Sequence, residues 1–336
     1  MLAVALACLL ALAACGGGDD AAELEPGVVR IGAVPGPTAW DAQVLNGVRA
    51  AVRELDLQGG VDGKVRLRLL VGQARRLVGG GARILVLPCD ARLQAASAAA
   101  VQGATVLAFE PCNTQIWRRF PDVWPVSVSP SAEARVLVDY VRHQGHERVA
   151  SVGDGRAARA VRAAAAERGL ERVPASRADA VVVALAAPFA PNAVSRLRRR
   201  GIRAPVVATH GLDDRRAIVA QRAALAGSVF VTFGFPDPGS ELDELFERYR
   251  ALTAHPPSSS VAALGYDAVQ VLEEAMVEAG STEPAVLAAT MPGLEADGAT
   301  GTIAYPDRGG RDPSVDVALV RIENGGLALV DRVKAS

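Results

Sequence analysis

Short apolar runs bounded by Gly or Pro alternate with helix-length amphipathic segments, and that rhythm confines the chain to an α/β fold. Residues 28–34 form a brief apolar strand that Pro35-Gly36-Pro37 ends. Helical spacing then runs over 40–57, with Val44, Val48, Val52 and Leu55 on one face. Gly59-Gly60 stops that helix. Residues 64–71 alternate strictly, Val65, Leu67 and Leu69 to one side and Arg66 and Arg68 to the other. A strand at 84–87, an Ala-rich helix at 93–102 and a strand at 105–109 follow. Strand and helix taking turns is the pattern of a doubly wound parallel sheet.

The rhythm restarts after 125–130. Helices are expected at 133–144, 157–167 and 193–200, and strands at 148–152, 180–185, 206–209 and 229–233. Two longer helices come next, 241–253 and 261–279, the second closed by Gly280 at a C-cap position. Two last strands, 315–322 and 327–333, are joined by a turn at Asn324-Gly325-Gly326. The helix-bearing connections 71–83 and 169–179 are short, since a parallel crossover needs about 10–12 residues with its helix. At 336 residues the chain exceeds one average domain, and two α/β units in series predict two similar lobes.

Composition narrows the function classes. Half the residues are apolar, ample for cores, and the net charge of -1 provides no polybasic face, so nucleic acid is not an expected partner. Residues 2–14 are an unbroken apolar run, too short for a bilayer span of about 20 residues but suited to a signal peptide. No Lys or Arg precedes it, which a start placed too far downstream would explain. Leu12-Ala13-Ala14-Cys15 resembles a bacterial lipobox, which implies lipidation of Cys15 and an exported protein held to the outer face of the membrane by lipid alone. The division is then 1–15 as signal and 16–27 as a flexible tether. Cys8 leaves with the signal, so Cys89 and Cys112 remain, an even pair for one disulfide in an oxidising compartment.

Three stretches carry a family resemblance. The opening 29–63, with Asn46-Gly47 in its helix, the segment Ala262-Ala263-Leu264-Gly265-Tyr266-Asp267-Ala268-Val269-Gln270, and Gly298-Ala299-Thr300-Gly301-Thr302-Ile303 resemble type I periplasmic binding proteins for branched-chain amino acids. The resemblance implies two Rossmann-like lobes joined by three crossings, one lobe from 27–124 plus 236–304 and the other from 125–235 plus 305–336. It further implies a monomer that passes a small polar, amino-acid-like ligand to an ABC permease, with no enzyme activity and no cofactor. A sensor lipoprotein that reports ligand occupancy to a membrane receptor is the alternative.

Ligand sites in such sheets lie beyond the carboxyl ends of the strands. If the strands ending near 87 and 109 are neighbours, Cys89 and Cys112 fall within disulfide range. The same turns offer Asp90, Ala91, Asn113 and Thr114 as ligand contacts. Asp90 stands where the family has Ser, and it reads equally as the N-cap of the next helix. Trp40 falls where the family has an aromatic residue near the ligand, or else packs on its own lobe. From the other lobe the strand ends offer Asp154, Arg156, Phe189, His210 and Asp213. The family's tyrosines there have no counterpart in this chain.

Other motifs are weak. Gly153-Asp154-Gly155-Arg156-Ala157-Ala158 fits a dinucleotide turn, but no acid ends the following strand, so a plain strand–helix turn is the simpler reading. The four His residues lack metal spacing. Ser258-Ser259-Ser260 reads as a helix cap.

Overall fold

A computed structural model describes residues 24–336. The expected signal peptide, Cys8, Cys15 and most of the expected tether lie outside those residues. The chain begins with β1 (Gly27–Ala33), α1 (Ala39–Gln58), β2 (Val65–Val71), α2 (Ala74–Gly79), β3 (Ile84–Val86), α3 (Ala91–Ala100), β4 (Leu107–Glu110) and β5 (Val123–Pro125). These five strands form one sheet in the order β2-β1-β3-β4-β5, every pair parallel.

The second unit runs α4 (Pro130–His143), β6 (Arg148–Val152), α5 (Gly155–Glu167), β7 (Glu171–Arg172), β8 (Ala180–Val183), α6 (Phe189–Arg199), β9 (Val206–Ala208), α7 (Arg215–Ala220), α8 (Arg222–Leu225) and β10 (Val229–Thr232). Its strands take the order β7-β6-β8-β9-β10, also parallel. The two orders are the same when each unit is numbered from its own first strand. Each unit therefore has one topological switch point, between β1 and β3 and between β6 and β8, where successive crossovers leave in opposite directions.

Three helices then return to the first unit: α9 (Glu241–Thr253), α10 (Val261–Ala279) and α11 (Pro284–Thr290). Helices α9 and α10 pack on α1. The α1–α10 contact is close because glycine faces backbone from both sides. A Cβ on Gly47 would lie 1.9 Å from the Ala262 carbonyl oxygen, and one on Gly265 would lie 2.0 Å from that of Val44. The chain ends with β11 (Glu295–Gly298), β12 (Gly301–Ala304), β13 (Ser314–Glu323) and β14 (Gly326–Ala335). These four strands join antiparallel through β13 to β10, so the second sheet is mixed.

The structure departs from the expected elements in several places, among them the unanticipated β5, α7, α8 and α11. Of the two short connections, 71–83 does hold a helix, the six-residue α2, whereas 169–179 holds none and only the two-residue β7 reaches the sheet edge. The β11–β12 hairpin was not anticipated, because Glu295–Gly298 has no apolar alternation to mark a strand. Several helices also begin earlier than their apolar periodicity, because capping residues and not apolar spacing set the first turn of α3 and α4. Asp90 caps α3 and Ser129 caps α4 with Pro130 at its first position, while α6 starts at Phe189 after Pro188 without a side-chain cap bond.

Candidate functional site

The first switch point lies between the turns that follow β1 and β3. After β1, Thr38 and Asp41 form a capping box at the start of α1. The Thr38 hydroxyl accepts the Asp41 N–H at 3.1 Å, and the Thr38 N–H and hydroxyl donate to Asp41 Oδ2 at 2.9 and 2.6 Å. The other oxygen of the same carboxylate reaches the neighbouring turn. Asp41 Oδ1 accepts the Cys89 N–H at 2.7 Å and the Asp90 N–H at 3.2 Å. Asp41 is 2 % exposed.

Cys89 and Cys112 are joined in a disulfide, with their Cα atoms 5.0 Å apart at the ends of the adjacent strands β3 and β4. Asp90 Oδ1 accepts the N–H groups of Arg92 at 3.1 Å and Leu93 at 2.8 Å, the capping geometry that sequence reading left open. Ala91 is the exposed first residue of α3.

The turn after β4 is held from within. Asn113 is buried; its N–H donates to Ser127 Oγ at 3.1 Å and its side-chain amide to Asp312 at 2.9 Å. The Thr114 N–H donates to Glu110 Oε1 and the Thr114 hydroxyl to Gln94 Oε1. Glu110 Oε2 is buried without a hydrogen-bond partner, and desolvation pushes this carboxyl up to about 7.

From the second unit, the 3₁₀ turn His210–Leu212 after β9 brings His210 to the first. Its imidazole lies between the Trp40 indole and the Phe233 ring, with centroids at 5.4 and 5.0 Å. Glu133, in the first turn of α4 and 1 % exposed, accepts the His210 N–H at 2.7 Å and lies 2.8 Å from its Nδ1. Burial works against charge on this ring, but Glu133, with Asp213 beside it, raises its pKa above the usual imidazole value.

Asp213 is buried at the end of the same turn. Its Oδ2 accepts Thr232 Oγ1 at 2.8 Å, Ser259 Oγ at 3.0 Å, and the Ser260 N–H and hydroxyl at 2.8 and 2.5 Å. The serines read as a helix cap are thus chiefly the seat of this buried carboxylate, and Ser260 makes no side-chain cap bond to α10. Asp154 and Arg156 sit exposed at the start of α5, and Asp154 makes no cap bond there. Phe189 opens α6 at 63 % exposure instead of lying in a turn. Trp40, in the first turn of α1, meets His210 on the turn after β9, while Asp90, Asn113 and Thr114 lie on the turns after β3 and β4. Asp154 and Arg156 follow β6 and Phe189 follows β8, the two strands that flank the second switch point.

Sequence reading missed Asp41, Glu110, Glu133 and Phe233. Thr38-x-x-Asp41 is a legible capping signature, but nothing local shows its reach to Cys89.

A family model described as periplasmic binding protein matches residues 160–326, about half the chain. The chain belongs to the type I periplasmic binding protein family. The likeness to solved structures extends over 90–92% of the binding protein's chain. The branched-chain amino acid transporter substrate-binding protein LivJ of Streptococcus pneumoniae, in complex with isoleucine, is 18% identical with a TM-score of 0.78, over 91% of this chain and 99% of that one. A solute-binding protein of an ABC transporter from Rhodopseudomonas palustris, in complex with 3,4-dihydroxybenzoic acid, is 18% identical with a TM-score of 0.76, over 92% and 98%. An ABC transporter substrate-binding protein of Desulfitobacterium hafniense, in complex with Leu, is 22% identical with a TM-score of 0.73, over 90% and 100%. No curated protein sequence matches the chain. No helix among the described residues of the binding protein is long and apolar enough to cross a membrane.

Proposed function

We propose that this protein is the extracytoplasmic substrate-binding component of an ABC transporter. On this reading it is anchored by lipid on Cys15, takes up a small polar solute of amino-acid size between two lobes, and performs no catalysis. One lobe is built from 27–124 and 236–294 and the other from 125–235 and 295–336, a division that moves 295–304 from the expected first lobe because β11 and β12 pair into the second sheet. The observation that carries the reading is the Trp40–His210 contact, which joins the strand-end turns of two sheets of identical order. Crevices beyond such strand ends are where doubly wound sheets take ligands. The neighbours of like fold support the same reading, since each is a transporter solute-binding protein with a small acid in complex.

Native mass spectrometry of the exported chain, purified without denaturation, tests it. A small solute is expected to leave on unfolding, and adding it back should raise the melting temperature as RT ln(1 + [L]/Kd) requires. Neither a bound mass nor any thermal shift with a pooled metabolite extract would sink the solute-binding role. A mature N-terminus other than lipidated Cys15 would sink the anchor.

A further inference from the structure

A carboxylate already occupies the place where the first sheet would receive one. Helices α1 and α3 begin on either side of the switch point between β1 and β3. The free N–H groups at such helix starts form a natural seat for an anion. Here the Cys89 and Asp90 N–H groups both point to Asp41 Oδ1, at 2.7 and 3.2 Å, while Thr38 holds Oδ2. The room for this carboxylate is built in, because a Cβ on Gly36 would lie 2.2 Å from Asp41 Cγ.

The next turn repeats the arrangement. The Thr114 N–H is taken by Glu110, the Asn113 N–H by Ser127 and the Gln115 N–H by Asn113 Oδ1. In both turns these strand-end amides donate to the chain's own oxygens.

We infer that the solute of this cleft carries no carboxylate: Asp41 supplies that group itself, and the solute is a neutral or cationic polar molecule such as an amine, an amide or an alcohol. A ligand carboxylate would have to displace a buried, fourfold hydrogen-bonded side chain, or lie beside it at the cost of like-charge repulsion. The inference rests on the solute-binding reading and narrows it.

Paired probes test it on the exported chain, with leucine against isoamylamine and leucinamide, and benzoate against benzylamine and benzyl alcohol. Calorimetry of the wild type is expected to show no saturable binding of leucine or benzoate. Asp41→Ala empties the seat, so formate should raise its melting temperature saturably at constant ionic strength, and leave the wild type no more stable than chloride does. The same variant should bind leucine or benzoate on the order of tenfold or more tighter than the wild type. Micromolar binding of leucine or benzoate by the wild type overturns the inference while leaving the solute-binding reading intact, and this arm needs no variant. Formate acting no better than chloride on folded Asp41→Ala overturns it as well. Failure of the wild type to retain any solute from a metabolite extract removes the solute-binding reading, and the inference with it.

Discussion

The Trp40 indole lies 5.4 Å from the His210 imidazole, their planes tilted by 40°, and this contact joins the start of α1 in the first unit to the turn after β9 in the second. Glu133 favours the protonated ring, so the charge persists above the ordinary imidazole value of 6.5. A charged imidazole quenches a neighbouring indole. Trp40 fluorescence is therefore expected to rise with pH through a midpoint above 6.5, and Glu133→Gln should move that midpoint down. Subtracting a Trp40→Phe trace assigns the signal. A pH-independent Trp40 signal would contradict the ion pair.

Glu110 and Asp267 are buried carboxyls that desolvation pushes up to about 7, from 4.5 and 3.8. The folded protein thus holds protons that the unfolded chain releases. Their contribution is full below the unfolded values and is lost as pH rises through about 7. Melting temperature should be higher near pH 5.5 than near pH 8, reflecting a stability loss of about 2 kcal/mol at most per group. Glu110→Gln should flatten part of that slope. A melting temperature that climbs over this interval would refute the sign.

Gly47 and Gly265 let α1 and α10 touch backbone to backbone. Gly47→Ala or Gly265→Ala forces the helices apart and should destabilise by about 3 kcal/mol, the upper range for overpacking. Chemical denaturation measures it. A change within about 0.5 kcal/mol, the range for surface substitutions, would mean the helices shift freely.

Asp90→Ala removes the cap of α3 and should cost about 1 kcal/mol without ligand. Affinity for the solute, measured on the same variant, separates capping from contact. Unchanged affinity with lowered stability makes Asp90 a cap only.

Reducing Cys89–Cys112, or replacing both by Ser, releases a loop with a sequence separation of 23. The chain-entropy model gives a loss of roughly 3 kcal/mol. Unfolding curves with and without reductant check it, and coincident curves would show that the bridge adds nothing.

The strand–helix rhythm was legible along the chain because its signals are local. Apolar periods, Gly and Pro stops and the Gly280 cap all act within a few residues, and the helices Glu241–Thr253 and Val261–Ala279 fall where periodicity puts them. Two missed features were local but faint: the β11–β12 hairpin, and the missing helix between Gly169 and Asp179.

The amino-acid sequence by itself determined the α/β class and two units in series, and it offered the Cys89–Cys112 pairing only on the condition, met in the fold, that β3 and β4 are neighbours. Tertiary structure alone decided the roles of the cleft residues. Asp41 meets Cys89 across 48 positions, Glu133 meets His210 across 77, and Ser260 meets Asp213 across 47. A carboxylate's local pattern shows that it caps a helix or sits in a turn. Which distant N–H it accepts depends on the strand order that folding brings together, and periodicity carries no record of that order.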